Sequence, residues 1–151
     1  RGNEEGRIRE KLVKSDLVEA IVTLGDKLFY GTGLSPCFMI LRRLKPASHS
    51  ARVLMIDGTK ILTAKRAQNI LSPEDVDRLY ELYCKYEDIE DFSKVVTIDD
   101  IAAKGYDLSP NKYVNYHKEE IRPYAEVLAE FKAAYEEVLK REAEFEKLIN
   151  A

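Results

Sequence analysis

Three apolar runs crowd the first 58 residues, and glycines, prolines and polar turns divide them: Leu17–Leu24, Pro36–Leu44 and Arg52–Asp57. Runs this short, rich in β-branched residues, form strands more readily than helices. The second run, PCFMILRRL, is nearly all apolar, which predicts a strand buried on both faces inside a layered α/β domain. Gly25-Asp26 and Gly31-Thr32-Gly33 bracket Lys27-Leu28-Phe29-Tyr30 in the connection between the first two runs. A polar turn, Pro46 to Ser50, precedes the third run, and Gly58 ends it. Upstream, Ile8 and Leu12 stand four apart among charges, predicting a short helix over Arg7–Lys14 that Ser15-Asp16 terminates.

The second half changes character. Ser72-Pro73-Glu74-Asp75 predicts a helix start: serine caps free amides, proline suits the first helical position, and the acids complement the dipole. Val76, Leu79, Tyr80 and Tyr83 would line one face of that helix. Thr97-Ile98-Asp99-Asp100 is a weaker capping signal for a short helix ended by Gly105, and Tyr106 to Tyr116 reads as irregular. From Pro123 onward a single long helix is expected, free of glycine and further proline. Tyr124, Leu128, Phe131, Tyr135, Val138, Phe145 and Ile149 alternate by fours and threes, broken only at Glu142. That heptad seam of roughly four repeats spans ~40 Å and needs a covering surface, either its own domain or a partner. The expected division is therefore 1–58, a connecting region 59–116, and the long helix within 117–151.

At 45% apolar and 34% charged residues, the composition is that of a globular protein. No apolar run approaches the ~20 residues that span a bilayer. The net charge of −3 argues against a freestanding nucleic-acid-binding domain. Residues 1–66 hold 13 Lys and Arg against 7 Asp and Glu, and residues 67–151 hold 11 against 20. A basic first half suits phosphate contact, although charge alone favours a lopsided solvated surface. Cys37 and Cys84, in apolar surroundings, are read as buried thiols of a cytoplasmic protein. The sequence has no P-loop, HExxH, paired CxxC or GxSxG. His49 and His117 lie in polar loops without companion ligands, so they are read as surface residues, and neither a metal site nor a catalytic constellation is expected.

A resemblance joins these pieces. Glu5 with Arg7–Leu12, then Leu17–Leu24, Leu28–Gly33, Cys37–Leu44 and Val53–Asp57 resemble, in order and spacing, the end of the catalytic domain in modification subunits of type I restriction–modification systems. Asn69 to Asp75, and Tyr106, Leu108, Tyr113 and Val114, match two later elements. The resemblance implies an α/β fold: the terminal strands of a methyltransferase sheet, ending in an antiparallel hairpin and followed by a helical C-terminal region. It implies adenine-N6 DNA methylation with S-adenosylmethionine in an intact parent, for which this chain would be the C-terminal part. The family's glycine motif for that cofactor and its (Asn/Asp)-Pro-Pro-(Tyr/Phe) motif are absent here, and none of the five prolines is followed by another. The chain alone is therefore expected to bind no cofactor and to transfer no methyl group. Where the family usually has proline, this chain has Gly25.

Two roles follow from the resemblance. Adenine N6 is reached by extruding the base from the duplex, and the family packs a loop aromatic against it. By order that is Phe29, with Tyr30 second; the alternative is Phe29 as a core plug under a glycine-rich turn. The seam residues Leu128, Phe131, Tyr135, Val138 and Phe145 would dock a specificity subunit. The implied complex holds two modification subunits per specificity subunit, with a restriction subunit added, and reaches DNA as an assembly. A stand-alone coiled-coil interaction module and an inactive methyltransferase relative remain the alternatives.

Overall fold

The computed structural model describes residues 3–116 and 124–149. They belong to two units, Arg1–His117 and Lys118–Ala151. In the first, the three apolar runs become adjacent strands: β1 (Val18–Leu24), β2 (Cys37–Leu41) and β3 (Arg52–Gly58). A fourth, β4 (Ser93–Thr97), completes a sheet of order β2-β1-β3-β4. β1 runs antiparallel to β2, parallel to β3, and β3 antiparallel to β4. The two-residue repeat of the strands then builds a core on each face. Val18, Ile21, Val53 and Met55 pack with Val13 of helix α1 (Asn3–Lys14) and Ile101 of α3 (Ile98–Ala103). On the other face, Ala20, Val22, Leu54 and Ile56 pack with Ile61 and with Leu82 of α2 (Pro73–Lys85).

The capping signals act as their chemistry requires. The Ser72 hydroxyl accepts from the Asp75 amide at 3.2 Å, and Asp75 Oδ2 accepts from the Ser72 amide at 2.9 Å. Thr97 and Asp100 make the same reciprocal pair at the start of α3. Past that helix, Gly105 takes a positive φ of 64°, and its amide donates to Ala102. Such C-terminal turns favour glycine because it has no Cβ.

Several expectations are corrected. The β2 run is an edge strand, not an interior one: Phe38, Met39 and Leu41 remain 46%, 38% and 54% exposed because only β1 pairs with it. Both cysteines are free and exposed, Cys37 on that edge and Cys84 on the outer side of α2. Val76 and Tyr80 stand exposed, while Leu79, Leu82 and Tyr83 make the inward face of α2. From the expected connecting region, β4 pairs with β3 and so extends the sheet.

His49, expected at the surface, is partly buried. Its ring stacks on Tyr86 with centroids 3.6 Å apart, and Nδ1 lies 3.2 Å from Glu19 Oε1. Glu19 is buried on β1, yet Arg42 Nε reaches its Oε2 at 2.9 Å and Tyr83 donates to the same oxygen at 2.9 Å. A buried carboxylate is tolerated when paired and hydrogen-bonded in this way. His117 lies outside the described residues.

The second unit contains α4 (Tyr124–Ile149). Along it Phe131, Tyr135, Val138 and Phe145 are at least half exposed, and Leu128 is partly exposed. Phe131 and Tyr135 lie parallel one turn apart, and Arg141 bridges to Glu137 at 2.6 Å.

The tyrosines set an alkaline limit on the first unit. Burial, then the negative charges of Glu19 and Asp16, push the Tyr86 phenol up to about 12. Burial, then Asp107 and Asp100, push Tyr113 up to about 12 as well. An unfolded tyrosine titrates near ~10. Above that pH the unfolded chain releases protons that the folded chain retains. Both contributions are thus complete below pH ~10 and lost as pH rises toward 12. Thermal melts should show a midpoint flat from pH 8 to 10 and falling between 10 and 12, and Tyr86→Phe should flatten part of that fall.

Candidate functional site

β1 and β3 run parallel, with Leu24 opposite Gly58, so both chains leave the sheet at the same end. Open α/β sheets bind ligands beyond the carboxyl ends of their strands. The connection after β1 is pinched at its base, where the Leu24 amide donates to Pro36 at 2.8 Å. At its tip the sequence-predicted residues come together in the open: Phe29 is 58% exposed and Tyr30 95%. The core plug is the neighbouring residue, since Leu28 packs partly buried against the second core. A cleft of about 180 Å³ lies between Lys27, Phe29, Tyr30 and Thr32 on one wall and Ala67 and Gln68 on the other.

That second wall was not anticipated as part of a site. It belongs to a segment closed by paired bonds between Thr63 and Ile70, at 2.9 and 3.0 Å. Its Gln68 donates to the Leu28 carbonyl at 2.8 Å, and Asn69 reaches Asp26 and Lys27. The motif beginning at Asn69 was visible in the sequence, but not what it touches.

At the same end of the sheet, β3 ends in a polar knot. Asp57 is buried, with Oδ1 accepting from the amide and hydroxyl of Thr59 at 2.9 and 2.6 Å. Its Oδ2 accepts from the Tyr116 hydroxyl. Burial, then that bond to Asp57, raise Tyr116 well above an ordinary tyrosine, so the phenol keeps its proton. Asp57 is thus a buried carboxylate at this sheet end with both oxygens accepting hydrogen bonds. The described residues contain no group of histidines, cysteines and acids arranged for a metal ion.

The seam residues Leu128, Phe131, Tyr135, Val138 and Phe145 all lie on α4, in the other unit. No helix among the described residues is long and apolar enough to cross a membrane.

Comparison with known proteins agrees with this architecture. Residues 1–121 match the family model described as N-6 DNA Methylase. A Methanocaldococcus jannaschii protein, the type I restriction enzyme MjaIX methylase subunit, is 36% identical over 99% of this chain and 28% of its own length. The solved type I restriction-modification methyltransferase subunit of Streptococcus thermophilus superposes with a TM-score of 0.70 at 26% identity, over 76% of this chain and 24% of that one. A second solved chain, from work on complex assembly in the type I system, shares the fold at a TM-score of 0.55 and 17% identity, over 99% of this chain and 33% of that one. The chain thus spans no more than about a third of any of these proteins. Its strands, its parallel β1–β3 pair and the match over residues 1–121 place the chain in the N-6 DNA methylase family.

Proposed function

We propose that this chain is the part of a type I restriction–modification methylase subunit that presents a stacking surface to the extruded adenine and joins the subunit to its partners. The observation that carries the reading is the placement of Phe29 and Tyr30, exposed at the carboxyl end of the parallel strands beside an open cleft. Two adjacent aromatics exposed together make a contiguous apolar patch of the kind that marks interaction sites, and Leu28 packs against the core beneath them. A flipped base loses its stacking neighbours, and a side-chain ring replaces them at ~1–3 kcal/mol per base. The remaining chemistry belongs to the rest of the subunit: the groups that hold the amine and the pocket for S-adenosylmethionine, which supplies the methyl group. Cytoplasmic location follows from the same reading.

The open edge of β2 supports a larger sheet. Clefts flank this strand on both faces, one of about 340 Å³ toward α2 and one of about 310 Å³ toward Arg9 and Leu108. An unpaired edge with apolar residues on both sides invites another strand. The remainder of a methylase subunit would supply that strand and the layers over both clefts.

The helix α4 would reach a different partner, a specificity subunit, through Leu128, Phe131, Tyr135, Val138 and Phe145. Burying each large side chain contributes ~1.5–3 kcal/mol. Charges flank the seam, as on helices that select partners electrostatically.

Three measurements test this reading. In the full subunit, Phe29→Ala should slow methylation by roughly five- to a hundredfold, the equivalent of ~1–3 kcal/mol. DNA affinity should change little, because phosphate contacts dominate it. Unchanged turnover in both Phe29→Ala and Tyr30→Ala would remove the loop from base capture. For the isolated chain, calorimetry with S-adenosylmethionine should show no saturable heat at micromolar cofactor; a binding isotherm would place the donor pocket here instead. Finally, Phe131→Asp with Val138→Asp in the full subunit should abolish co-purification with the specificity subunit while circular dichroism stays native. Retained assembly would end the docking role.

A further inference from the structure

The target-base loop is held by two residues to which no role has been assigned. Lys27 takes a φ of 53°, a left-handed conformation that side chains other than glycine seldom adopt. Such a conformation persists only where surrounding contacts fix it. Here three consecutive carbonyls, those of Asp26, Lys27 and Leu28, are bound by two consecutive residues, Gln68 and Asn69. Asn69 Nδ2 donates to the Asp26 carbonyl at 3.1 Å and to its Oδ1 at 3.2 Å. The Asn69 amide donates to the Lys27 carbonyl at 3.1 Å, and Gln68 Nε2 to the Leu28 carbonyl at 2.8 Å.

The anchor is itself fixed. Ile70 and Thr63 exchange backbone bonds, and the Thr63 hydroxyl donates to Asp75 Oδ2 at 2.9 Å. Asp75 is in turn locked in the capping box that starts α2. A continuous chain of bonds therefore runs from the start of α2 through Thr63, Ile70 and Asn69 to Asp26 and Lys27, and Gln68 extends it to Leu28, the residue preceding Phe29. Nothing equivalent grips the tip: among the described residues, the one side-chain bond within Gly31–Ser35 runs from the Leu34 amide to the Thr32 hydroxyl at 3.1 Å.

We propose that Gln68 and Asn69 are positioning residues, which hold the backbone of Asp26–Leu28 so that the Phe29 ring stands ready to stack on an extruded purine. This rests on the stacking reading of Phe29. Stacking needs the ring plane to meet the base plane, and a loop free to rotate at Lys27 would present the ring at many angles. Preorganising it removes that ordering cost from the capture step. Gln68 also forms the opposite wall of the cleft, so the residue that sets the loop borders the space the base would enter.

Hydrogen exchange on this chain reads the clamp, and kinetics in the full methylase subunit, assembled with its specificity subunit, read its use. Asn69→Ala should speed exchange of the amides at positions 63, 69 and 70, the donors within the clamp, by about tenfold, the loss of one or two net hydrogen bonds, and leave β1 and β3 protected. In the assembled enzyme it should lower kcat at unchanged KM for DNA. Because Asn69 acts through Phe29, adding Phe29→Ala should lower kcat no further than Phe29→Ala alone. Gln68→Ala carries the same test if Asn69→Ala fails to fold. Unchanged exchange at these amides in the folded variants overturns the clamp, whatever Phe29→Ala does. Effects of Asn69→Ala and Phe29→Ala that multiply overturn it too, since they place Asn69 in another role. If Phe29→Ala leaves methylation intact while exchange still rises, the stacking reading fails, and the positioning role falls with it.

Discussion

The parallel pairing of β1 with β3 is the constraint from which the rest of the first unit follows. Antiparallel neighbours can be joined by a tight turn, but parallel ones end on the same side of the sheet. The segments after Leu24 and after Gly58 must therefore share one crowded exit. Gly58 shows how crowded it is. A Cβ there would sit 2.9 Å from the Thr23 carbonyl and 2.7 Å from Leu79, and the carbonyl belongs to a backbone that cannot retreat. Gly25 meets the same pressure, with the Leu62 side chain only 2.2 Å from where its Cβ would be. Two glycines at paired strand ends let the two exits cross at van der Waals distance. Because they cross so closely, the carbonyls of 26–28 fall within reach of Gln68 and Asn69.

The opposite end of the sheet is held by a different device. Glu19 sits where the β1–β2 register shifts between Val18 and Ala20, so its side chain escapes the plain alternation of the strand. Its carboxylate gathers Arg42 from beyond β2, His49 from the turn before β3, and Tyr83 from α2. No buried side-chain polar atom among the described residues lacks a partner. Asp16 does similar work nearby, accepting from Lys45 at 2.5 Å and from the Ala51 amide at 3.0 Å. Burial opposes its charge, but the bonds from Ala51 and Lys45 prevail and hold it below the ordinary aspartate range. A sheet tied down by polar groups at one end can keep the other for loops that meet a ligand.

The sequence displayed the elements that local chemistry determines. The start of α2 was legible because Ser72, Pro73 and Asp75 each do one job at a helix terminus. The first three strands were legible from their apolar runs, whereas Phe29 and Tyr30 were singled out only by their order within the resembling family's elements. β4 was not legible, because Ser93–Thr97 has only Val95 and Val96 to mark it and is recruited by the free edge of β3. β2 misled for a related reason: its apolar run states what should cover it, not whether that cover lies within this chain. The clamp was hidden most deeply. Gln68 and Asn69 act on backbone carbonyls some 40 positions away, and a carbonyl looks the same in every residue.

Two apolar surfaces are left after the core is built, and they differ in kind. β2 offers a backbone edge with unpaired amides and carbonyls, flanked by Phe38, Met39 and Leu41. Such a surface asks for another strand, whose hydrogen bonds fix one register. α4 offers side chains alone, because a helix satisfies its own backbone internally. Its seam can therefore slide by a turn unless something polar fixes the register, and Glu142 is the exposed residue that interrupts the apolar series. The edge thus suits a permanent join within one folded subunit, where register must never vary. The seam suits a join between subunits, where charge can choose the partner.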